Sequence, residues 1–320
     1  GSFSQFCEHS VNKKVMFESL GEFYFFIYYK RHRKIRKTTC LEYIFIPESE
    51  TLTSCNTYYI RRIYVMLSDF HVHSKFSTDS DEDLENIISK AISLNMKDIC
   101  ITDHQDWFWP VPGESFDIDT DSYFNELNIL KNKYSSKINL HIGVELGITC
   151  DNYKKNADFL QSYPFEYVIG SCHIVDNMDP YYSEFWENHN EAEAFRTYFS
   201  TLLDALKLFN SFNTLGHLDY IVRYAPNKDK NYNCSDYFNI VEQIFKEIIH
   251  KDIALEINTG ALAKGMDFAN PHFDILSFYK DLGGKLVAVG SDAHIAGNIG
   301  YGFDKATQLI EHFNFKNINE

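Results

Sequence analysis

From residue 66 onward, short apolar runs alternate with longer stretches in which apolar residues recur at helical spacing, and polar segments separate the two. Runs at residues 64–70, 98–102, 138–144, 167–171, 214–215, 253–257 and 285–290 predict short buried strands. Residues 83–93 bring Leu84, Ile87, Ile88, Ala91 and Ile92 onto one helical face. Helices are likewise predicted over 121–134, 191–210, 235–250, 273–282 and 303–312, whereas 105–120, with two prolines and two tryptophans, reads as a long loop. Seven strand-then-helix units predict a parallel α/β sheet. Without a Gly-rich phosphate loop, they fit a closed (β/α)7 barrel better than a doubly wound sheet, and in such barrels the chemistry gathers at the carboxyl ends of the strands.

Those ends carry candidate cation ligands. His71 and His73 alternate at the end of the first strand, so both imidazoles project from one face. Asp79 follows them, and later strands lead to His104, Glu145, His173, His217, Asp292 and His294. The other seven histidines, His9, His32, His141, His189, His250, His272 and His312, lie in the N-terminal segment, mid-strand or on helices and read as structural or surface residues. A single strand-end histidine is more often a hydrogen-bonded core residue than a ligand. Nine imidazole and carboxylate donors at one barrel mouth would be costly to bury without cations. They are too many for one ion and suit three if one carboxylate bridges. Mixed imidazole and carboxylate ligation favours zinc, manganese or iron over magnesium or calcium. Asp69, Asp103 and Asp219, beside the histidines, are expected to orient imidazoles from behind.

Composition narrows the class further. At 320 residues and 44% hydrophobic, the chain reads as a soluble globular protein able to bury a full core. Seven cysteines with no CxxC spacing argue for a reducing compartment, the cytoplasm. No apolar run approaches the roughly 20 residues of a membrane span. The formal net charge of −15 is uneven, because residues 1–65 hold 10 basic and 6 acidic residues while the remainder holds 20 and 39. So acidic a barrel repels nucleic acid and points to a small substrate. Residues 1–65, with a basic run at 30–37, read as an N-terminal extension of unassigned fold; Gly1 and Ser2 look like a cloning remnant, and the barrel is expected over 66–320.

Several motifs together carry a family resemblance over about residues 66–315. They are Asp-Phe-His71-Val-His73-Ser with Ser-Thr-Asp79-Ser, Ile-Thr-Asp-His104, Gly-Val-Glu145-Leu-Gly, Ile-Gly-Ser-Cys-His173, Leu-Gly-His217-Leu-Asp-Tyr-Ile-Val-Arg223-Tyr, Leu-Glu256-Ile-Asn258-Thr and Gly-Ser-Asp292-Ala-His294. The chain resembles the polymerase and histidinol phosphatase (PHP) superfamily, and within it the monofunctional histidinol-phosphate phosphatases. The resemblance implies a distorted (β/α)7 TIM-like barrel with a trinuclear site at the carboxyl ends of the strands. It implies hydrolysis of L-histidinol phosphate, in histidine biosynthesis, by a hydroxide shared between metals. One metal would take His71, His73, Glu145 and Asp292, a second the bridging Glu145 with His173 and His217, and a third Asp79, His104 and His294. Aspartate at position 79, where many superfamily members have histidine, resembles the histidinol phosphatase branch. Arg196 and Arg223 match positions near the family's phosphate and are expected to clamp it. Glu145, Asp292 and His294 are the expected catalytic groups, with Asp292, His294 or a metal-held water as proton source for the leaving alkoxide. Glu256 and Asn258 are expected to line the substrate pocket, and Trp107-Phe108-Trp109 to stack on the substrate or act as a lid. The alternatives are a phosphoesterase for another small phosphate or nucleotide, an amidohydrolase-type hydrolase, or a non-catalytic binding module.

Overall fold

The computed structural model describes residues 68–320 and, before them, the backbone of β1 (Phe17–Leu20), β2 (Phe23–Tyr28), β3 (Cys40–Pro47) and β4 (Ile60–Tyr64). The chain divides into two compact units, 1–66 and 67–320. In the first, the four strands pair antiparallel in sequence order as a meander. Tyr64, expected to open the first barrel strand, instead ends β4. The basic run at 30–37 lies outside the described residues, as do Gly1 and Ser2.

In the second unit the elements follow as β5 (Ser68–Asp69), α1 (Leu84–Ser93), β6 (Asp98–Ile101), β7 (His104–Gln105), α2 (Thr120–Tyr134), β8 (Asn139–Gly147), α3 (Tyr153–Ser162) and β9 (Tyr167–Ser171). After these come α4 (Ser183–Asn188), α5 (Glu191–Leu208), β10 (Thr214–Leu215), α6 (Phe238–His250), β11 (Ala254–Asn258), α7 (Gly260–Ala263), α8 (Phe273–Asp281), β12 (Leu286–Gly290), α9 (Phe303–Phe313) and β13 (Lys316–Asn317). The sheet runs β13-β12-β11-β10-β9-β8-β6-β5 with β7 beside β8, and every pairing is parallel. Parallel neighbours need crossovers, which the intervening helices supply. α3 escaped the sequence reading because its only buried residues are Asn156 and Phe159, too thin an apolar stripe to show.

The helices are held by the faces the sequence marked. In α1, Leu84, Ile87, Ile88 and Ala91 are fully buried, and each large aliphatic among them contributes about 1.5–3 kcal/mol. The Asp83 carboxylate caps the helix by accepting from the Glu85 amide at 2.8 Å. Past the end of β5, the chain bonds to the segments that follow β12 and β6. Asp292 N–H donates to the His71 carbonyl at 2.8 Å, His73 N–H to that of Ala293 at 2.9 Å, and Thr102 N–H to that of Val72 at 2.8 Å. These bonds bring the strand-end segments that carry the donors side by side. Two glycines permit close approaches there: a Cβ on Gly290 would overlap the His71 side chain, and one on Gly147 would overlap the Asp106 carboxylate.

Candidate metal centre

All nine predicted donors meet at one place. Glu145, fully buried at the end of β8, is its hub. Its Oε2 lies 3.1 Å from His71 Nε2 and 3.4 Å from His73 Nε2, and Asp292 Oδ1 stands 3.7 and 3.4 Å from the same two nitrogens. Its Oε1 faces the other way, 3.3 Å from His173 Nε2 and 3.0 Å from His217 Nε2. Asp79 Oδ2, further out, is 3.0 Å from His294 Nε2 and 3.7 Å from His104 Nε2, while His104 Nδ1 reaches Glu145 Oε2 at 3.2 Å. Donors about 2.0–2.2 Å from a tetrahedral ion stand about 3.3–3.6 Å apart, the spacing seen here.

Four of the donor atoms also lack other partners. His71 Nε2, His73 Nε2, His104 Nδ1 and Glu145 Oε2 are buried without a hydrogen bond. Each such atom costs about 1–3 kcal/mol unless something satisfies it. Divalent cations fit, and the triads His71–His73–Glu145, His71–His217–Asp292, His104–Glu145–His173 and His73–His104–His294 each bring donor atoms within 4.8 Å of one another. Asp292 holds its place at φ +54, a left-handed backbone that aspartate tolerates better than bulky residues.

The groups that orient the imidazoles differ from those expected. Glu256 Oε1 pairs with His71 Nδ1 at 2.6 Å, Ser77 Oγ with His73 Nδ1 at 3.1 Å and Asp106 Oδ1 with His173 Nδ1 at 2.9 Å. Ser171 Oγ donates to Glu145 Oε1 at 2.6 Å. Asp69, Asp103 and Asp219 do not play this part. Asp69 accepts from the amides of His71, Ser291 and Gly300, and Asp103 gathers Ser74 and Ser77. Asp219 accepts from Asn270 and the His272 amide. They brace the loops on which the histidines sit. Asp106, which the sequence reading missed, belongs to the centre, because His104 Nδ1 is also 3.4 Å from its Oδ2. Its signal was its position two residues past a predicted ligand in a strand-end loop.

Electrostatics set a condition on loading. Burial pulls His71 down, but Glu145, Glu256 and Asp292 outweigh it and hold the imidazole well above its ordinary pKa. His173 is raised in the same way by Asp106 and Glu145, and His104, against burial, is raised to about 9 by Asp79 and Glu145. His73 goes the other way, to about 3, through burial and the neighbouring His294 and His104. At neutral pH the three raised imidazoles therefore hold protons that a metal must displace. Loading is expected to release protons and to strengthen as pH rises towards 9. Calorimetric titration in two buffers of different ionisation enthalpy would show it as buffer-dependent heat; identical heats would contradict it.

The cluster opens into a cavity of about 670 Å³ lined by Asp79, His104, His173, His217, Asp292 and His294, walled by Trp109, Phe116, Tyr181, Tyr182, Tyr220 and Tyr224, and edged by Glu114, Asp179, Arg223 and Lys264. Arg223 is buried on this wall. Its Nε donates to Asn270 Oδ1, Nη1 to Asp292 Oδ2 and Nη2 to Asn258 Oδ1, all at 2.6 Å. Arg196 is not there: it is exposed on α5, its Nη2 donates to the Asp236 carbonyl at 3.3 Å, and it leans on Tyr237. It sits on the solvent face of the helix, so the phosphate clamp expected of it does not form. Asn258 and Glu256 are also corrected. Both are buried behind the cavity, with Asn258 tied to Arg223 and Glu256 to His71. Of the aromatic loop only Trp109 reaches the cavity; Trp107 packs on Phe159 with Lys155 Nζ 3.8 Å over its ring. Asp292 is no proton source, because against burial His71 and Arg223 hold its carboxyl well below the usual range.

The chain is similar to known proteins in sequence and in fold. A histidinol-phosphatase of Lactococcus lactis subsp. lactis (strain IL1403) is 35% identical over 253 residues, covering 78% of this chain and 92% of its own length. The crystal structure of histidinol phosphate phosphatase from Lactococcus lactis subsp. lactis Il1403, complexed with zinc, L-histidinol and phosphate, superposes with a TM-score of 0.71 at 35% identity, over 78% of this chain and 94% of that one. A structure from Listeria monocytogenes, 21% identical, shares the fold with a TM-score of 0.63 over 74% of this chain and 99% of its own. Residues 69–260 match the PHP domain, and the chain belongs to the PHP domain family.

Proposed function

We propose that the chain hydrolyses L-histidinol phosphate to L-histidinol and phosphate, a step of histidine biosynthesis in the cytoplasm, with three divalent ions held at the carboxyl ends of a distorted (β/α)7 barrel. The observation that carries this reading is the double-sided Glu145, one oxygen of which faces His71, His73 and His104 and the other His173 and His217. His71, His73, Glu145 and Asp292 would hold one ion, Glu145, His173 and His217 a second, and Asp79, His104 and His294 the third. Imidazole with carboxylate suits zinc, manganese or iron. Such ions supply positive charge for phosphoryl oxygens and acidify water from a pKa of about 15.7 to about 7.

The chain's own residues do the rest. His71, His73 and Glu145 are fully buried, which keeps bulk water from the floor of the site. Glu256 and Asp106 fix the ring orientation of His71 and His173. Arg223 fixes Asp292 and sets a permanent positive charge in the cavity wall, and Lys264, whose Nζ donates to Tyr224 Oη at 2.9 Å, adds a second at the rim. Glu114 and Asp179 give the opposite charge on that cavity, matching the amine and imidazole at the far end of histidinol phosphate. Burial, opposed by the Tyr181 amide, pushes Asp179 up to about 6, so it still carries its charge at neutral pH. The zinc, histidinol and phosphate bound by the Lactococcus relative support the assignment.

The test is phosphate release by metal-reconstituted protein from histidinol phosphate, other small phosphomonoesters and a short oligonucleotide, with His173→Ala as blank. Turnover of histidinol phosphate should exceed the others by at least about tenfold and vanish in the blank. Equal turnover of all monoesters would overturn the substrate and keep the phosphoesterase; activity on the oligonucleotide alone would overturn both.

A further inference from the structure

Away from the cavity, a second group of donors converges. Cys234, buried in a short 3-10 turn before α6, brings its Sγ 3.8 Å from His272 Nδ1 and 4.0 Å from Asp274 Oδ2, and His272 Nδ1 is 3.8 Å from Asp274 Oδ2. Three different donor types from two segments 38 residues apart thus form one triangle. The arrangement is not a catalytic triad, since thiol and carboxylate meet the same imidazole nitrogen instead of opposite ones. That nitrogen accepts the Asp274 amide at 3.2 Å as the cap of α8, so its lone pair points towards Asp274, and an imidazole lone pair is a metal donor. The ring is also held in place. Phe268 packs edge-on at 4.8 Å, Tyr232 stands across it at 6.4 Å, and the His272 amide donates to Asp219 Oδ2 at 2.9 Å.

We propose that Cys234, His272 and Asp274 form a separate mononuclear site for a zinc-type divalent cation, with water completing the tetrahedron. Sulfur at about 2.3 Å and nitrogen or oxygen at about 2.0–2.2 Å from an ion stand about 3.4–3.6 Å apart, so each edge closes by only a few tenths of an ångström. The exposed Asp274 carboxylate can supply that movement. On binding, the thiol proton passes to solvent, a metal–thiolate bond replaces the S–H bond, and the ion takes the His272 Nδ1 lone pair from the Asp274 amide. The ion would clip the turn before α6 to the start of α8. Asp219 also accepts from Asn270, which holds Arg223, so the clip would brace the wall of the substrate cavity from outside.

Cadmium titration of the zinc-loaded, full-length protein tests the site, because none of the nine donors of the main centre is a thiol. One equivalent should raise a sulfur-to-cadmium charge-transfer band in the ultraviolet, and Cys234→Ser should abolish it. No band in the wild type, or a band that persists in Cys234→Ser, would overturn the proposal. Asp274→Asn and His272→Gln keep the thiol and guard against a serine variant that fails to fold. Each should weaken the cadmium affinity by at least about the 10- to 100-fold that even an outer contact is worth, and undiminished affinity in both would equally overturn it.

Discussion

Glu145→Gln should strip the main centre of its metals and lower phosphate release by three orders of magnitude or more, while the fold survives. The amide is isosteric with the carboxylate, so the packing around Glu145 at the end of β8 is kept. What is lost is the charge that faces five imidazoles: His71, His73 and His104 within 3.4 Å of one oxygen, and His173 and His217 within 3.3 Å of the other. An amide offers one oxygen and turns an N–H towards whichever pair it faces, so one of the two sites loses a donor and meets a proton instead. Even an outer contact to a metal ligand is worth about 10- to 100-fold in affinity, and a lost electrostatic contact to the reacting centre costs about 10²- to 10³-fold in rate. Both penalties fall on this one residue. Metal content after dialysis, turnover of histidinol phosphate and the melting curve would be read together. A variant that keeps its metals and more than about a tenth of its turnover would show that Glu145 does not bridge.

The donors were legible because two sequence rules coincide. Strand side chains alternate, so His71 and His73 could be assigned to one face, and an apolar run that stops at a polar residue marks a strand's carboxyl end, as at Glu145 and Asp292. The parallel α/β order was legible for the same reason. What lies one step behind the donors was not, because it depends on which strand ends become neighbours. Asp69 looks as well placed as Asp106 in the text, yet only Asp106, in the space left by Gly147, meets a ring nitrogen. Helix phase hid the fate of Arg196, since nothing local says which face of α5 meets the cavity. Glu114 and Lys264 sit in segments with no period to read, and the approach of Cys234 to His272 is a product of tertiary packing alone.

Arg223→Met is the second large effect, and it separates stability from charge. The guanidinium is buried with Asp292, Asn258 and Asn270 each accepting from a different nitrogen, so removing it strands the Asn270 amide oxygen and leaves the Asp292 carboxylate oxygen with only a long 3.4 Å bond from Asn258 in the interior. Breaking a buried pair from one side costs about 3–5 kcal/mol, which for a unit of this size lowers the melting temperature on the order of 10 °C. Asp292, freed from its fork, no longer holds its oxygen against His71 and His73, and turnover should drop about 10²- to 10³-fold. Arg223→Lys restores the charge but can satisfy only part of the three-way fork. It should recover some stability and remain at least about tenfold slower than the parent. Arg196→Ala, on the exposed face of α5, should match the parent in both measurements. If Arg223→Met melts and turns over like the parent, the Asn258–Arg223–Asp292 network does not position the metal-binding carboxylate; if Arg223→Lys is fully active, the wall needs only a positive charge and not the geometry of the guanidinium.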